Sequence, residues 1–135
     1  MVDTKSKIYL TWDNIEALTN ELAEKITYFH TRVDSIMGLP RGGLIPAVML
    51  SHKLNLPLVF SPTENTLIVD DICDSGETFK ELYKQYPNSN FACLHFKPET
   101  SDFLPNLYAA EYEGDDWIHY PWENENADAI QDYLK

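Results

Sequence analysis

The sequence predicts a single α/β domain in which a mostly parallel sheet is flanked by helices. Apolar segments typical of strands alternate along the chain with segments of helical periodicity, which is the pattern of β-α-β units. The apolar run at residues 67–69 has no polar alternation, as in a strand that is buried on both faces. A length of 135 residues fits one domain, and a hydrophobic content of 44% is enough for one core.

The first half of the chain predicts a short apolar lead-in at residues 8–10, a helix, a strand at Ser35–Gly38 and a second helix. Thr11 to Asp13 carry N-cap signals, and Asp13 and Glu16 have capping-box spacing. Apolar residues then recur at helical spacing in the first helix (Ile15, Leu18, Leu22, Ile26) and in the second (Ala47, Val48, Leu50, Leu54).

The second half predicts four more strands, a third helix and a short closing helix at residues 126–134. The strands are predicted at residues 56–60, 66–70, 90–94 and 106–110. The third helix carries Phe79, Leu82, Tyr83 and Tyr86, and an aromatic segment at residues 117–122 precedes the closing helix. Ligands on parallel sheets bind outside the carboxyl ends of the strands, so the strand-to-helix junctions are the candidate site.

Charge and cysteine content exclude several classes of protein. Asp and Glu number 22 and Lys and Arg 10, a formal net charge of −12, which argues against a nucleic-acid surface and against a polybasic membrane surface. No apolar run approaches the roughly 20 residues of a membrane span, and the N-terminus lacks a signal-peptide core, so we expect a cytoplasmic protein. Cys73 and Cys93 are too few for a disulfide framework, and no Cys/His spacing indicates zinc.

Glycine and arginine concentrate in two strand-to-helix junctions. Of the five glycines, Gly38, Gly42 and Gly43 lie in the first junction beside Arg41, and Gly76 lies in the second. Glycine allows backbone amides to approach an anion closely, and a following helix N-terminus adds positive dipole. Because both junctions lie at one edge of a parallel sheet, we expect them to bind one anionic ligand together.

The second junction carries the stronger signal. Asp70 and Asp71 follow a buried strand and can hold Mg²⁺ directly or through ribose hydroxyls and water, since Mg²⁺ prefers oxygen ligands. Residues 74–78 then turn into a helix, and their amides, with the hydroxyls of Ser75 and Thr78, form a cup suited to a phosphate monoester. An acid pair beside a phosphate cup suits a metal-bound sugar phosphate.

Residues 67–78 resemble the phosphoribosyl pyrophosphate motif of type I phosphoribosyltransferases: an apolar strand, two acids, two spacers, Asp, Ser, Gly, any residue and Thr. Cys73 is a slight departure, because an aliphatic residue is usual there. The resemblance extends over nearly the whole chain to bacterial xanthine-guanine phosphoribosyltransferases, in the same order, through residues 9–13, 41–46, 96–98 and 117–122.

The resemblance implies a type I phosphoribosyltransferase fold, with a core at about residues 8–112 and a small base-binding hood at about 113–135. It implies transfer of ribose 5-phosphate from phosphoribosyl pyrophosphate to a 6-oxopurine, with Mg²⁺ as cofactor, in a homo-oligomer (dimer or tetramer). It also implies a cis Pro40–Arg41 peptide. The implied phosphoribosyl pyrophosphate ligands are Arg41, Gly42 and Gly43 for pyrophosphate, Asp70 and Asp71 for ribose and metal, and Asp74, Ser75, Gly76, Glu77 and Thr78 for the 5′-phosphate.

At the base end, the resemblance implies that Asp74 lies near N7 of the purine and acts as the catalytic group that moves its proton. Lys97 corresponds to the lysine that donates to the 6-oxo group, Trp117 to the aromatic that stacks on the base, and Ile118 to a backbone contact. The structural alternatives are an exposed lysine at a strand end and a core or interface tryptophan.

Two further hypotheses remain open. Relatives carry a long flexible loop that closes over the reacting centre, whereas only residues 61–65 fill that place here, so the chain could be a nucleotide-binding module with weak or no catalysis. A phospho-acceptor receiver domain would explain Asp70 and Asp71 at the end of a buried strand. It would not explain Arg41 with its two glycines, or the Ser75 to Thr78 segment.

Overall fold

A computed structural model describes residues 6–124 of the chain and confirms the predicted α/β class. The elements are β1 (Lys7–Tyr9), α1 (Trp12–Thr27), β2 (Ser35–Gly38), α2 (Leu44–Leu54), β3 (Thr66–Cys73), α3 (Glu77–Gln85), β4 (Asn90–Phe96), β5 (Leu107–Glu111) and β6 (Trp117–His119). The closing helix predicted at residues 126–134 lies outside the described residues. No helix within residues 6–124 is both long enough and apolar enough to cross a membrane.

The main sheet has the order β2-β3-β4-β5, and all its neighbouring strands are parallel. Side chains of β3 alternate between its two faces, as the pleat requires. Leu67 and Val69 pack into the larger apolar cluster with residues of α1 and α2, whereas Ile68 packs with Phe79 of α3. Helices therefore cover both faces, which explains why the β3 sequence lacks polar alternation.

The structure differs from the prediction at the strands around the acid pair. The strand predicted at residues 56–60 is a single bridge between Ile36 and Leu58, because Pro57 has no N–H to donate and the chain turns back at residues 63–66. The strand predicted at 66–70 instead continues to Cys73, so Asp71 lies within β3 together with Asp70.

The different lengths of neighbouring strands create the space for the site. β2 ends at Gly38, which lies opposite Val69, while β3 continues four residues further along β4 to the pair Cys73–Phe96. The acid pair therefore lies just past the end of β2. The loop that leaves β2 occupies this gap, and its Pro40–Arg41 peptide is cis, as the resemblance implied.

The capping box of helix α1 begins two residues earlier than predicted. Its N-cap is Thr11, whose hydroxyl accepts from the Asn14 amide at 3.1 Å, while the Asn14 side chain accepts from the Thr11 amide at 2.9 Å. The predicted pairing of Asp13 with Glu16 was wrong, because Trp12 is already the first helical residue and Asn14 is therefore the third.

A second, two-stranded sheet joins the beginning of the described chain to its end. β6 pairs in parallel with β1, and Ile118 lies opposite Ile8. Tyr120, which follows β6, is fully buried in the larger apolar cluster. This packing places the aromatic segment at residues 117–122 over the carboxyl edge of the main sheet, where it lines the same cavity as the two junctions.

Candidate active site

A cavity of about 680 Å³ lies at the carboxyl ends of β2, β3 and β4. Both junctions and the aromatic segment contribute to its walls. Most of the site residues predicted from the sequence line it: Arg41, Gly42, Asp70, Asp71, Asp74, Ser75, Gly76, Thr78, Lys97, Trp117 and Ile118. Gly43 and Glu77 were also predicted at the site, but the structure places them outside the cavity lining: Gly43 is buried beneath the loop, and Glu77 is exposed.

Glycines at the first junction allow the loop to lie against β3. A Cβ on Gly42 would overlap the carboxylate of Asp71, and a Cβ on Gly43 would overlap the main-chain oxygen of Val69. The loop is fixed by hydrogen bonds from Leu39 N to Val69 O at 2.9 Å and from Gly43 N to Leu39 O at 2.8 Å. Contact with the main chain therefore requires glycine at position 43, whereas a side chain at position 42 would displace the Asp71 carboxylate. The loop places Arg41 in the same cavity as the acid pair.

The acid pair is half-buried and strongly perturbed. Burial, with the neighbouring charge of Asp71, raises the pKa of the Asp70 carboxyl well above its usual value. Burial also raises the pKa of Asp71 to about 6, against hydrogen bonds that lower it, including the one from Ile72 N at 2.8 Å. Two carboxylates this close are destabilised by their shared burial and repulsion, so a cation or a ligand hydroxyl bound between them is favoured.

The donor set at this pair fits Mg²⁺. The carboxylates supply hard oxygen ligands, and within the described residues no group of three or more His, Cys, Asp or Glu side chains has metal-binding geometry. Mg²⁺ typically binds through one or two carboxylates and takes its other ligands from water and substrate phosphates. A site of this type is completed by the ligand rather than by the protein alone.

The second junction forms a cup at the start of α3 that is a candidate phosphate site. Gly76 is the N-cap of α3 and has φ of +85°, a conformation that favours glycine. A Cβ there would also lie 2.8 Å from both Phe103 Cβ and Ser101 Oγ. Because Ser75, Gly76 and Thr78 line the cavity at the start of a helix, their amides and the helix dipole favour an anion there.

Lys97 is buried at the base end of the cavity, with 4% exposure, so the alternative of an exposed strand-end lysine is excluded. Its Nζ donates to Asp116 O at 2.8 Å and lies 3.6 Å from Asp74 Oδ2. The ring of Tyr112 lies 5.8 Å from the same nitrogen. These contacts fix a positive charge on the cavity wall beside Asp74.

The two tryptophans of the aromatic segment differ in their packing. Trp117 keeps 37% of its surface exposed at the cavity, so its ring has room for a planar partner. Trp122 instead stacks on Tyr120, with ring centroids 4.9 Å apart and an interplanar angle of 8°. The internal stack occupies one face of Trp122, which leaves Trp117 as the better candidate to stack on a base.

Two further residues that line the cavity were not predicted from the sequence: Tyr120 in the aromatic segment and Glu123 just after it. The Tyr120 hydroxyl donates to the main-chain oxygen of Asp71 at 3.2 Å and lies 2.9 Å from His95 Nδ1. The charge of Glu123 contributes to the raised pKa of Asp71. The one signal in the sequence is that Tyr120 lies two residues after Ile118, a spacing that places two side chains on the same face of an extended strand.

Comparisons with known proteins agree in both sequence and fold. No protein-family model matches the chain. The xanthine-guanine phosphoribosyltransferase of Gluconobacter oxydans is 30% identical over 140 residues, covering 84% of this chain and 83% of the relative. The crystal structure of a purine phosphoribosyltransferase from Pyrococcus horikoshii has a TM-score of 0.76 at 30% identity, covering 92% of this chain and 99% of that one. A Neisseria gonorrhoeae protein solved with bound ppGpp has a TM-score of 0.77 at 25% identity, covering 93% of each chain.

The raised pKa of Asp71 predicts a pH-dependent gain in stability for Asp71→Asn. A carboxyl whose pKa is about 6 in the folded protein and 3.8 ordinarily contributes stability below the lower value and loses it as pH rises through 6. Without Mg²⁺ at pH 8, the variant should therefore have a free energy of unfolding about 1–3 kcal/mol above that of the wild type. Urea denaturation measures the difference.

The gain should shrink as pH is lowered to 4, where the wild-type carboxyl is protonated and neutral. Asp115→Asn, at an exposed position, is the matched control and should change the free energy of unfolding little at either pH. Equal stability of Asp71→Asn and wild type at pH 8 would contradict the account of the acid pair.

Proposed function

The chain belongs to the xanthine-guanine phosphoribosyltransferase family, and we propose that it transfers ribose 5-phosphate from phosphoribosyl pyrophosphate to a 6-oxopurine, releasing pyrophosphate. The observation that carries the proposal is that one cavity is lined by Arg41 and Gly42 from the first junction, by Thr78 from the second, and by Lys97 and Trp117 at the base end. An anion-binding loop, a phosphate cup and a base site are the three parts that this substrate pair requires.

The pyrophosphate and the 5′-phosphate of the activated sugar are each bound by a different wall of the cavity. The loop at Arg41 and Gly42 binds pyrophosphate through the guanidinium and closely approaching backbone, with Gly43 supporting the loop from beneath. The cup from Asp74 to Thr78 binds the 5′-phosphate at the start of α3. The ribose lies between them, where Asp70 and Asp71 accept hydrogen bonds from its hydroxyls.

Asp70 and Asp71 would also hold Mg²⁺ together with ligand oxygens. When bound, Mg²⁺ supplies positive charge that offsets the negative charge of the acid pair and of pyrophosphate. The protein residues perform the remaining work of positioning: the glycine loop brings Arg41 to the leaving group, and Tyr120 supports the main chain at Asp71. Charge neutralisation by Mg²⁺ and positioning by the protein together suit an acidic chain whose cavity must accept a polyanion.

The reaction exchanges one bond at C1′ for another. The purine N9 forms a bond to C1′ with its own electron pair, and the bond from C1′ to the pyrophosphate oxygen breaks, its electron pair leaving with pyrophosphate. The proton on N7 of the base passes to the Asp74 carboxylate. Arg41 stabilises the negative charge that develops on the leaving group.

Lys97 provides the selection for a 6-oxopurine. An ammonium donates hydrogen bonds and never accepts them, so it favours a 6-oxo acceptor over the 6-amino donor of adenine. Within residues 6–124, Asp116 O and Asp74 are its polar partners, which occupy two directions of a group with three donors. The remaining donor can meet the base.

A second candidate function, nucleotide binding without efficient catalysis, is favoured by the short connection at residues 61–65. These residues do not line the cavity, so they do not cover the reacting centre as a closing loop would. The Neisseria gonorrhoeae protein of this fold, at 25% identity, was solved with bound ppGpp, which supports this candidate. The two functions differ in turnover, not in the ligand they bind.

Turnover is the first test. With phosphoribosyl pyrophosphate, Mg²⁺ and guanine, xanthine or hypoxanthine, the purified protein should form the nucleoside monophosphate and release pyrophosphate, followed by chromatography of the products. Replacing Mg²⁺ with a chelator should reduce the rate at least tenfold, since the acid pair would then repel the polyanion. Tight binding of nucleotide in calorimetry with no product from any base would select the binding module instead.

Base selection is tested by Lys97→Gln. An amide both donates and accepts, so the preference for hypoxanthine over adenine, measured as a ratio of kcat/KM values, should fall about tenfold. The ratio is independent of the fraction of protein that is folded, which matters for a buried lysine. Lys84→Gln, on the exposed face of α3, is the control and should leave the ratio unchanged. An unchanged ratio in Lys97→Gln would remove Lys97 from base selection.

A further inference from the structure

The loop at residues 97–102 braces the phosphate cup from outside the cavity. Three consecutive main-chain oxygens, at the end of β3 and the start of the cup, accept hydrogen bonds from it: Cys73 O from Lys97 N at 3.0 Å, Asp74 O from Thr100 Oγ1 at 2.9 Å, and Ser75 O from Asp102 N at 2.9 Å. Within this loop only Lys97 lines the cavity. The remaining residues therefore act on the cup, not on the ligand.

Thr100 has a second contact that the other bracing groups lack. Its hydroxyl also donates to Asp74 Oδ1 at 2.7 Å, so one hydrogen is shared between the main chain and the carboxylate of the same residue. The other carboxylate oxygen, Oδ2, lies 3.6 Å from Lys97 Nζ. The Asp74 side chain is 49% exposed, so little packing restrains its rotation. Its orientation depends on these polar contacts.

We infer that Thr100 is a positioning residue for Asp74 in the transfer reaction, an inference that rests on the proposed function. By holding Oδ1, the hydroxyl turns Oδ2 towards the base site marked by Lys97. Without it, the carboxylate gains rotational freedom and spends only part of its time aimed at N7. Neither the composition nor the phosphoribosyl pyrophosphate motif assigns a role to position 100.

This role affects the chemical step more than binding. As the bond from N9 to C1′ forms, positive charge spreads into the purine ring and the N7 proton becomes more acidic. The contact with Asp74 therefore strengthens between the bound state and the transition state. Loss of an interaction that is stronger in the transition state lowers kcat with little change in KM.

The test compares Thr100→Val, which has nearly the same shape without the hydroxyl, with Thr100→Ser, which keeps it. Thr100→Val should lower kcat about tenfold and change KM for phosphoribosyl pyrophosphate less than threefold, while Thr100→Ser should retain at least a third of the wild-type kcat. Thr27→Val is the control, because the Thr27 hydroxyl donates only to Ala23 O on the exposed end of α1. Thermal unfolding shows whether each variant is folded at the assay temperature.

A double-mutant cycle separates action through Asp74 from general loosening of the loop. In an Asp74→Asn background, Thr100→Val should lower kcat less than twofold, because the carboxylate on which Thr100 acts is already gone. An equal loss of kcat in both backgrounds, or no loss in the wild-type background, would overturn the inference while leaving the proposed function in place. Absence of turnover in the wild type would overturn both.

Discussion

The close approach of Gly42 to the Asp71 carboxylate is the contact on which the rest of the site depends. A side chain at position 42 would displace the Asp71 carboxylate, and one at position 43 would overlap the main chain of β3, so the first junction lies directly against the acid pair. The approach is possible because β2 stops opposite Val69 while β3 continues to Cys73. A difference of a few residues in strand length thus converts two ordinary strand-to-helix connections into opposite walls of one cavity.

Electrostatics explain how a chain with a net charge of −12 can accept a polyanion. The acidic surplus does not create a uniform repulsive wall, because the cavity gathers Arg41, a buried Lys97 and the N-terminus of α3 at separate positions. The acid pair is the exception, and its raised pKa values reflect a free-energy penalty that the folded protein bears without ligand. In our account, ribose hydroxyls and a divalent cation relieve that penalty, so binding energy is concentrated where the sugar must be held.

Most of the architecture could be predicted from the sequence, because it follows from local periodicity. The residues of β2 match their predicted positions, α3 begins within the turn predicted at residues 74–78, and Lys97 and Trp117 line the cavity. The predictions of strand boundaries fail where pairing with a strand distant in the sequence determines the structure. Residues 56–60 have strand composition but make only one bridge, and β3 extends past the acids because β4 continues to pair with it.

Contacts between residues distant in the sequence also limit what can be predicted of the site. Tyr120 and Thr100 contact the main chain of residues that lie 49 and 26 positions away, respectively, and no spacing rule connects such positions. Their residue types are also uninformative: a tyrosine after a short strand and a threonine in a polar loop have many structural roles. Periodicity and motifs indicate candidate ligand-binding groups, whereas the residues that contact and orient those groups become visible only in three dimensions.

The central claim is that one activated sugar is held at both ends by the two junctions, and a crystal structure of the protein with phosphoribosyl pyrophosphate and Mg²⁺ tests it most directly. The account predicts a single molecule whose pyrophosphate lies against Arg41 and Gly42 and whose 5′-phosphate lies in the cup from Ser75 to Thr78. A 5′-phosphate bound elsewhere, or separate ligands at the two junctions with no sugar between them, would contradict it.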